Sequence, residues 1–217
     1  MKPLIQPLGD RGMVVRFGTA LDDGANSRAI SLARRVEAAA IEGVDAATPG
    51  LVSVFIAYDP HHIGFARLAG EIRILANGPD GADTASRAHD LPVRYGGLDG
   101  PDLGPVADAL GLSPEAFIAA HRNDTLRVLA IGFAPGFAYC GFHRENLAIP
   151  RRREVRQTVP AGSILFAARQ TAIAATEIPT GWHVIGRTET PTLMLAPDAA
   201  HCLLKAGDAV RFHEARP

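Results

Sequence analysis

Short apolar runs divided by turn-forming residues fill the second half of the chain and limit the folds it can adopt. Beyond Thr125 the runs read LRVLAIGF, GSILFAA, HVIGRT, TLMLA and AVRFH. Glycine, proline and threonine separate them at intervals of about 10 to 20 residues, which is typical of strands joined by turns. Many short strands in succession close most readily into a barrel. The second half is therefore predicted to be a closed β-barrel.

The first half has a different pattern, in which predicted strands alternate with predicted helices. Residues 12–18 and 51–60 are apolar or β-branched runs that end in glycine or in a turn dipeptide. Between them, apolar residues recur at helical spacing after Asp22 and Asp23, either of which can cap a helix. A second helix is predicted after the second strand, from about residue 61 to 76. The order strand, helix, strands, helix fits a split βαβ sheet with helices on one face.

The segment NGPDGADTAS, residues 77–86, is rich in turn formers and small residues, which is the composition of a linker. A chain of 217 residues also exceeds the commonest length of a single domain. After the linker come one strand and two short helices, before the apolar runs begin. We therefore predict an α+β protein with a small split-βαβ (ferredoxin-like) α/β domain over residues 1–86 and a β-barrel domain over residues 87–217.

The charge and hydropathy of the chain exclude several classes of partner. Its formal net charge is -1 at pH 7, so no long-range field gathers nucleic acid or anionic lipid. No stretch reaches the roughly 18 apolar residues of a membrane span, and the start, MKPLIQPLGD, has no apolar run of signal length. Cys140 and Cys202 lack the paired spacing of a zinc site. We expect a cytoplasmic protein without nucleic-acid, membrane or metal partners.

Nearly all basic residues are arginines, since Lys2 and Lys205 are the only lysines. Contacts to a carboxylate or phosphate would therefore come mainly from guanidinium and backbone N–H groups. Four arginines crowd residues 149–163, where they could hold an anion or form a solvated basic face. They are Arg151, Arg152, Arg153 and Arg156. Ser163, in the same segment, is either a hydroxyl ligand or a turn residue. No GxSxG nucleophile elbow surrounds it.

The segment IGFAPGFAYCGF, residues 131–142, is the most informative local motif. Its glycines and Pro135 restrict the backbone to a rigid, irregular loop after a strand. Phe133, Phe137 and Tyr139 alternate with them, so aromatic rings could wall a pocket while free N–H groups point into it. A well-packed corner of the barrel is the other interpretation.

A third block, RQTAIAATEIPTGWHVIGRT, surrounds the single tryptophan of the chain. Gln170 and Arg187 flank Trp182, and an amide with a guanidinium suits the binding of a small planar amide such as a lactam. Trp182 could equally be a core residue. The chain contains no GxxxxGK[ST] motif, so any ATP would not be bound by a P-loop.

These motifs, in their order and spacing, resemble the allophanate hydrolase subunit 1 family, read as the B subunit of bacterial 5-oxoprolinase. The family also includes Kip-type inhibitors of a sporulation histidine kinase. PLGDRGMVVRFG and LVSVFIAYDP resemble its amino-terminal half, and IGFAPGFAYCG, PRR, VPAGS, QT and GWHVIGRT resemble its carboxy-terminal half. The family's Gly-x-Tyr-Pro after Thr171 is here Ala-Ile-Ala-Ala, which leaves the exact substrate open.

The resemblance implies a cyclophilin-like form of the barrel and a multi-subunit enzyme. It implies an ATP-dependent amidohydrolase that opens 5-oxoproline, or a related lactam or amide, with a C-type, biotin-dependent-carboxylase-like partner subunit. ATP, with Mg, is expected to be shared with that partner. Two alternatives stay open: a regulatory module that inhibits a histidine kinase, and a prolyl isomerase suggested by the barrel alone.

The resemblance also implies two sets of site residues. The catalytic set comprises Arg151, Gln170, Arg187 and Ser163. The substrate-binding set comprises Phe133, Pro135, Gly136, Phe137, Tyr139, Gly162, Thr171, Trp182 and Gly186. Together they predict one recessed site in the second half that holds a small anionic ring compound.

Overall fold

A computed structural model of the chain describes residues 2–78, 87–195 and 200–215. The chain divides into two compact units, residues 1–85 and 86–217. Most of the predicted linker, residues 79–86, lies outside the described residues. In the described ranges, no helix is long and apolar enough to cross a membrane.

The first unit is one antiparallel sheet with two helices. Its strand order is β1-β2-β4-β3, so β4 lies between β2 and β3, which are joined through the first helix. The ferredoxin-like form of this unit stays a prediction. In chain order the elements are β1 (Leu4–Pro7), β2 (Gly12–Arg16), α1 (Asp23–Ala39), β3 (Val44–Pro49), β4 (Ser53–Tyr58) and α2 (Phe65–Ala76).

Alternation along the strands builds the core of the first unit. Met13 and Val15 of β2 and Val54 and Ile56 of β4 are fully buried, because successive side chains of a strand point to opposite faces. They pack with Leu32 of α1 in one apolar cluster. The sheet therefore buries one face against helical side chains.

The helix ends of the first unit follow local hydrogen bonds. Of the two predicted caps, Asp22 is confirmed, since its carboxylate accepts the N–H of Ala25 at 2.8 Å, and Asp23 is the first residue of the helix. The second helix begins at Phe65, and the prediction of a start near residue 61 is wrong. The carboxylate of Asp59 accepts the N–H of His61 at 3.1 Å, and this turn delays the helix.

The second unit contains a closed barrel of seven strands in its described part, as predicted. The barrel order is β10-β7-β6-β15-β5-β12-β9, in which β15 runs parallel to β5 and the other neighbours are antiparallel. Its cyclophilin-like form stays a prediction. The elements are β5 (Ala88–Tyr95), α3 (Leu103–Ala109), α4 (Pro114–Asn123), β6 (Leu126–Ile131), β7 (Ala138–Gly141), β8 (Arg156–Val159), β9 (Ser163–Ala167), β10 (Gln170–Ile173), β11 (Ile178–Thr180), β12 (His183–Arg187), β13 (Leu193–Leu195), β14 (Ala200–Cys202) and β15 (Ala209–Glu214).

Strand β9 is buried on both faces, and it divides the second unit into two apolar clusters. Ile164 and Phe166 belong to one cluster, which also contains Phe117 of α4. Leu165 and Ala167 point the opposite way, into a second cluster. The first cluster fills the barrel, and the second lies on the outer face of β9, where the candidate site is found.

Candidate functional site

A cavity of about 280 Å³ opens beside the outer apolar cluster, and we call it the cup. Its lining comes from the loop after β6, strand β7, the arginine-rich segment and the residues around β11. Four of the nine lining residues are aromatic, and one, Arg151, is cationic. The lining residues are Phe133, Phe137, Tyr139, Arg151, Val155, Pro179, Thr180, Gly181 and Trp182.

The loop of residues 132–137 holds one rim of the cup in a fixed shape. Gly132 donates its N–H to the carbonyl of Phe137 at 2.9 Å, and Phe137 donates to Ala134 at 3.1 Å. Phe133 has a φ of 80°, which costs energy in a residue with a side chain, and it is 71% exposed. Its ring contacts Phe137 edge-on at 5.4 Å. The loop therefore presents an aromatic ring to solvent at the rim.

Aromatic rings in edge-to-face contact continue the wall from the rim to the single tryptophan. Ring centroids of Phe137 and Tyr139 lie 4.8 Å apart, and those of Tyr139 and Trp182 lie 6.0 Å apart. Trp182 is only 5% exposed and belongs to the outer apolar cluster. Both interpretations of Trp182 therefore hold, since it is a core residue and a wall of the cup. Burial raises the pKa of Tyr139, so its hydroxyl stays neutral.

Arg151 supplies the positive charge of the cup. Its guanidinium carbon lies 5.4 Å from the centre of the Trp182 ring, within the range of a cation–π contact. Arg151 is exposed, and within the described parts of the chain it forms no ion pair with a carboxylate. A ligand that carries a carboxylate can therefore bind to it through paired N–H donors.

Two of the four clustered arginines form ion pairs with a buried carboxylate of the fold. Arg152 Nη1 and Arg156 Nη2 donate to Oδ1 of the buried Asp102 at 2.7 and 2.6 Å. Burial raises the pKa of Asp102, but hydrogen bonds from Arg156 and from the N–H of Val184 outweigh it and hold the pKa below its usual value. The four arginines therefore do not converge on one ligand, which corrects that interpretation of the segment.

Several predicted residues lie together at the start of β9 and the end of β12, outside the cup lining. Ser163 Oγ donates to the carbonyl of Pro160 at 2.6 Å, and Arg187 Nε donates to that of Ala161 at 3.0 Å. Gly162 has a φ of 83°, and a Cβ there would lie 2.1 Å from the carbonyl oxygen of Thr188. A Cβ at Gly186 would likewise lie 2.7 Å from the carbonyl oxygen of Arg94. Both glycines thus allow close approach of the backbone.

Gln170 and Thr171 form a third group at the start of β10. Gln170 pairs with Gly141 and Ala167 and is 5% exposed. Thr171 is fully buried and turned into the barrel. Of the four residues predicted as catalytic, only Arg151 lines the cup. Of the residues predicted to bind substrate, Phe133, Phe137, Tyr139 and Trp182 line the cup. Pro135 and Gly136 belong to the loop of residues 132–137 at its rim.

Sequence reasoning missed four lining residues of the cup. They are Val155, Pro179, Thr180 and Gly181. None of them carries a titratable group, so residue chemistry gave no signal. The useful signal was position, since each lies within a few residues of Arg151 or Trp182.

A buried hydrogen-bonded chain inside the barrel was also missed. The Tyr95 hydroxyl lies 2.9 Å from His121 Nδ1, and Nε2 of His121 lies 2.9 Å from Thr171 Oγ1. Nε2 of His143 lies 2.8 Å from the same hydroxyl, and its Nδ1 lies 3.5 Å from the Asp124 carboxylate. The Thr171 hydroxyl has one proton and two lone pairs, so it can donate to only one of the two imidazoles, and at least one histidine donates to it.

Fold and site together define a β-barrel protein with a small, aromatic-walled cavity on the outer face of its barrel. Residues 3–203 match the family described as Carboxyltransferase domain, subdomain C and D. The 5-oxoprolinase B subunit of Bacillus subtilis is 33% identical over 96% of this chain and 91% of its own length. The corresponding protein of Escherichia coli O157:H7 is 42% identical over 58% of each chain. The chain belongs to the family of 5-oxoprolinase B subunits, as the sequence predicted.

Solved structures show the same fold within longer chains. TTHA0988 is 34% identical with a TM-score of 0.81, over 96% of this chain and 40% of its own. The present chain thus spans about two fifths of TTHA0988. The urea carboxylase of Kluyveromyces lactis is 17% identical with a TM-score of 0.77, over 99% of this chain and 22% of its own. At that identity the likeness concerns the fold alone.

Proposed function

We propose that the chain is one component of an ATP-dependent amidohydrolase complex that opens 5-oxoproline or a related small lactam. The cup carries this proposal, because it is a cavity of about 280 Å³ with aromatic walls and one exposed guanidinium. The relatives from three bacteria, all named for 5-oxoprolinase, support the choice of substrate class.

The chemistry of the substrate matches that of the cup. A lactam such as 5-oxoproline has a flat amide within a small ring and a single carboxylate. The ring can lie against the aromatic wall of Tyr139 and Trp182, where apolar contact favours a planar group. The carboxylate can pair with Arg151, whose planar fork matches two carboxylate oxygens. Binding by this chain therefore orients the lactam and excludes water from one of its faces.

The cup is poorly suited to ATP. Its volume of about 280 Å³ lies at the small end of ligand sites, which measure about 300 to 1,000 Å³, and its lining has one guanidinium for three phosphates. Among the described residues, no three His, Cys, Asp or Glu side chains converge to hold a metal ion. We therefore assign ATP and Mg to a site shared with the partner and derive no step of the reaction through them.

The proposed partner is a C-type subunit. The relatives are each named as one subunit of an enzyme, which supports a complex of several chains. TTHA0988 supports it independently, since its chain continues well beyond the part that resembles this protein. An activity shared in this way explains why the cup alone suits the lactam and not the nucleotide.

The test is to mix the purified chain with a C-type subunit and to measure ADP release with 5-oxoproline and a panel of lactams. We expect release to require both chains and one lactam of the panel. Arg151→Gln should raise the KM for that lactam, whereas Arg153→Gln is the matched control, because Arg153 is an exposed neighbour outside the cup lining. An absence of ADP release with every lactam would refute the proposal.

A further inference from the structure

We propose that Asp102 is the positioning residue of the cup, because its one carboxylate holds both the segment that carries Arg151 and the strand that follows Trp182. The inference rests on the proposed function, since it gives Asp102 a part in presenting Arg151 to an anionic substrate. Asp102 is 4% exposed, precedes α3 and lies outside the lining of the cup. It therefore acts through other residues and not on the substrate.

The first set of contacts fixes the arginine wall. Arg152 and Arg156 both donate to Asp102 Oδ1, at 2.7 and 2.6 Å. Each of them directly follows a lining residue, since Arg151 precedes Arg152 and Val155 precedes Arg156. The carboxylate thus anchors the arginine-rich segment at the two residues that directly follow its lining positions.

The second set of contacts fixes the tryptophan wall. The N–H of Val184 donates to Asp102 Oδ2 at 2.8 Å, and the N–H of Asp102 donates to the carbonyl of Val184 at 3.0 Å. Val184 stands two residues after Trp182 in the chain. One carboxylate therefore contacts both the segment that carries Arg151 and the strand that follows Trp182, and it helps to set the distance between the guanidinium and the indole.

Other hydrogen bonds keep the segment attached without Asp102. The N–H of Arg152 donates to the carbonyl of Gly181 at 2.8 Å. His183 Nε2 donates to the carbonyl of Pro150 at 3.0 Å. Replacing the Asp102 carboxylate by an amide should therefore leave the backbone folded. The arginine side chains, however, should no longer be held in one orientation. The Arg151 guanidinium would then lose its fixed place over the indole.

Trp182 is the single tryptophan, so its indole N–H gives one assignable resonance that reports on the cup without any ligand. The experiment compares this resonance in the full-length wild type, Asp102→Asn and Arg151→Gln. We expect Asp102→Asn to move the indole resonance toward its position in Arg151→Gln. Titration with 5-oxoproline should show a Kd raised about three- to tenfold in Asp102→Asn, the cost of ordering one long side chain on binding.

Two matched variants separate positioning from general stability. Asp208 is buried to the same 4% and holds His89 and the N–H of Lys205, which lie outside the cup. Asp208→Asn and Arg153→Gln should both keep the wild-type indole resonance and Kd. Asp102→Glu, which restores the charge, should return the resonance toward wild type.

The outcomes distinguish this inference from the proposed function. A folded Asp102→Asn protein with an unchanged indole resonance overturns the positioning role, even when the lactam binds. Movement of the resonance toward Arg151→Gln, without lactam binding by the wild type, supports the positioning role and refutes the substrate. Should Asp102→Asn not fold, the double variant Arg152→Gln, Arg156→Gln replaces it, and an unchanged indole resonance there overturns the inference.

Discussion

Two polar networks lie in the second unit, and they treat charge in opposite ways. In the clamp around Asp102, the carboxylate is buried while the side chains of Arg152 and Arg156 remain 24% and 32% exposed. In the chain from Tyr95 to Asp124, the two histidines and the threonine between them are sealed inside the barrel. The first network is an ion cluster at the surface, whereas in the second the hydrogen bonds from Tyr95 through His121 and Thr171 to His143 join neutral groups.

The contrast follows from access to water. Asp102 keeps its charge because arginines that still reach solvent hold its pKa below the usual value, against the effect of burial. Burial lowers the pKa of His121 well below its usual value and that of His143 to about 4, so both imidazoles are neutral at pH 7. Asp102 is therefore charged because solvent still reaches its arginine partners, whereas the two imidazoles inside the barrel are neutral because they are shielded from water.

The largest expected effect is the loss of the shared hydroxyl in the sealed network. Thr171→Val leaves two buried imidazole nitrogens without their partner, at about 1–3 kcal/mol each. We expect the free energy of unfolding to fall by about 3 kcal/mol, measured by urea denaturation. Thr158→Val is the control, because the Thr158 hydroxyl donates to Glu177 on the exposed surface. Equal losses in the two variants would show that the interior network is no different from a surface bond.

The second effect is a dependence on pH that separates the networks. Unfolded histidines take up protons near pH 6.5, whereas folded His143 does so only near 4. The unfolded state therefore binds more protons, and the free energy of unfolding should fall below pH 6.5, by about 2 kcal/mol at about pH 5 for His143 alone. Asp102 has a lowered pKa, so its contribution is present above 3.8 and is lost only below it.

Urea denaturation over the acid range measures this difference. His143→Gln should reduce the loss between pH 6.5 and about 4 to the part that His121 contributes, and Asp102→Asn should leave that window unchanged. A wild-type protein whose stability is constant from neutral pH down to about 4 would contradict the neutral state assigned to the sealed histidines.

The smallest effect should come from removing one arginine of the clamp. Arg156→Gln breaks the 2.6 Å bond to Asp102, but Arg152 and solvent remain as partners for the carboxylate. We expect a loss of about 1 kcal/mol in the free energy of unfolding, within the range of partly exposed ion pairs. Arg153→Gln, which removes an exposed arginine outside the clamp, should change it by less than about 0.5 kcal/mol. A loss in Arg156→Gln that matches Thr171→Val would break the comparison.

Much of the fold could be predicted from local patterns. Short apolar runs with turn residues between them predicted the barrel, and a side chain that can accept an N–H predicted the cap at Asp22. The start of α2 was wrong because the Asp59 turn competes with helix formation over residues that both structures suit. Helix boundaries depend on such small differences in energy.

The candidate site was predicted only in part. The glycine and aromatic loop correctly marked Phe133, Phe137 and Tyr139 as neighbours, because they are close in sequence and the loop is rigid. Gln170 and Arg187 were expected in the same recess, but strand pairing places them at opposite ends of β9, where Gln170 pairs with Ala167 and Arg187 with Ser163. Residue type alone could not show which face of a strand each side chain occupies.

By itself, the sequence determined the family, the barrel and the aromatic loop, because alternation, turn residues and motif order act over short stretches of chain. Only the tertiary structure decided that Arg151 faces the cup while Arg152 and Arg156 bind Asp102. Only the tertiary structure brought together His121 and Thr171, which lie 50 residues apart in the chain. Such contacts depend on which strands become neighbours in the folded chain. A local sequence pattern does not indicate contacts between residues that are far apart in the chain.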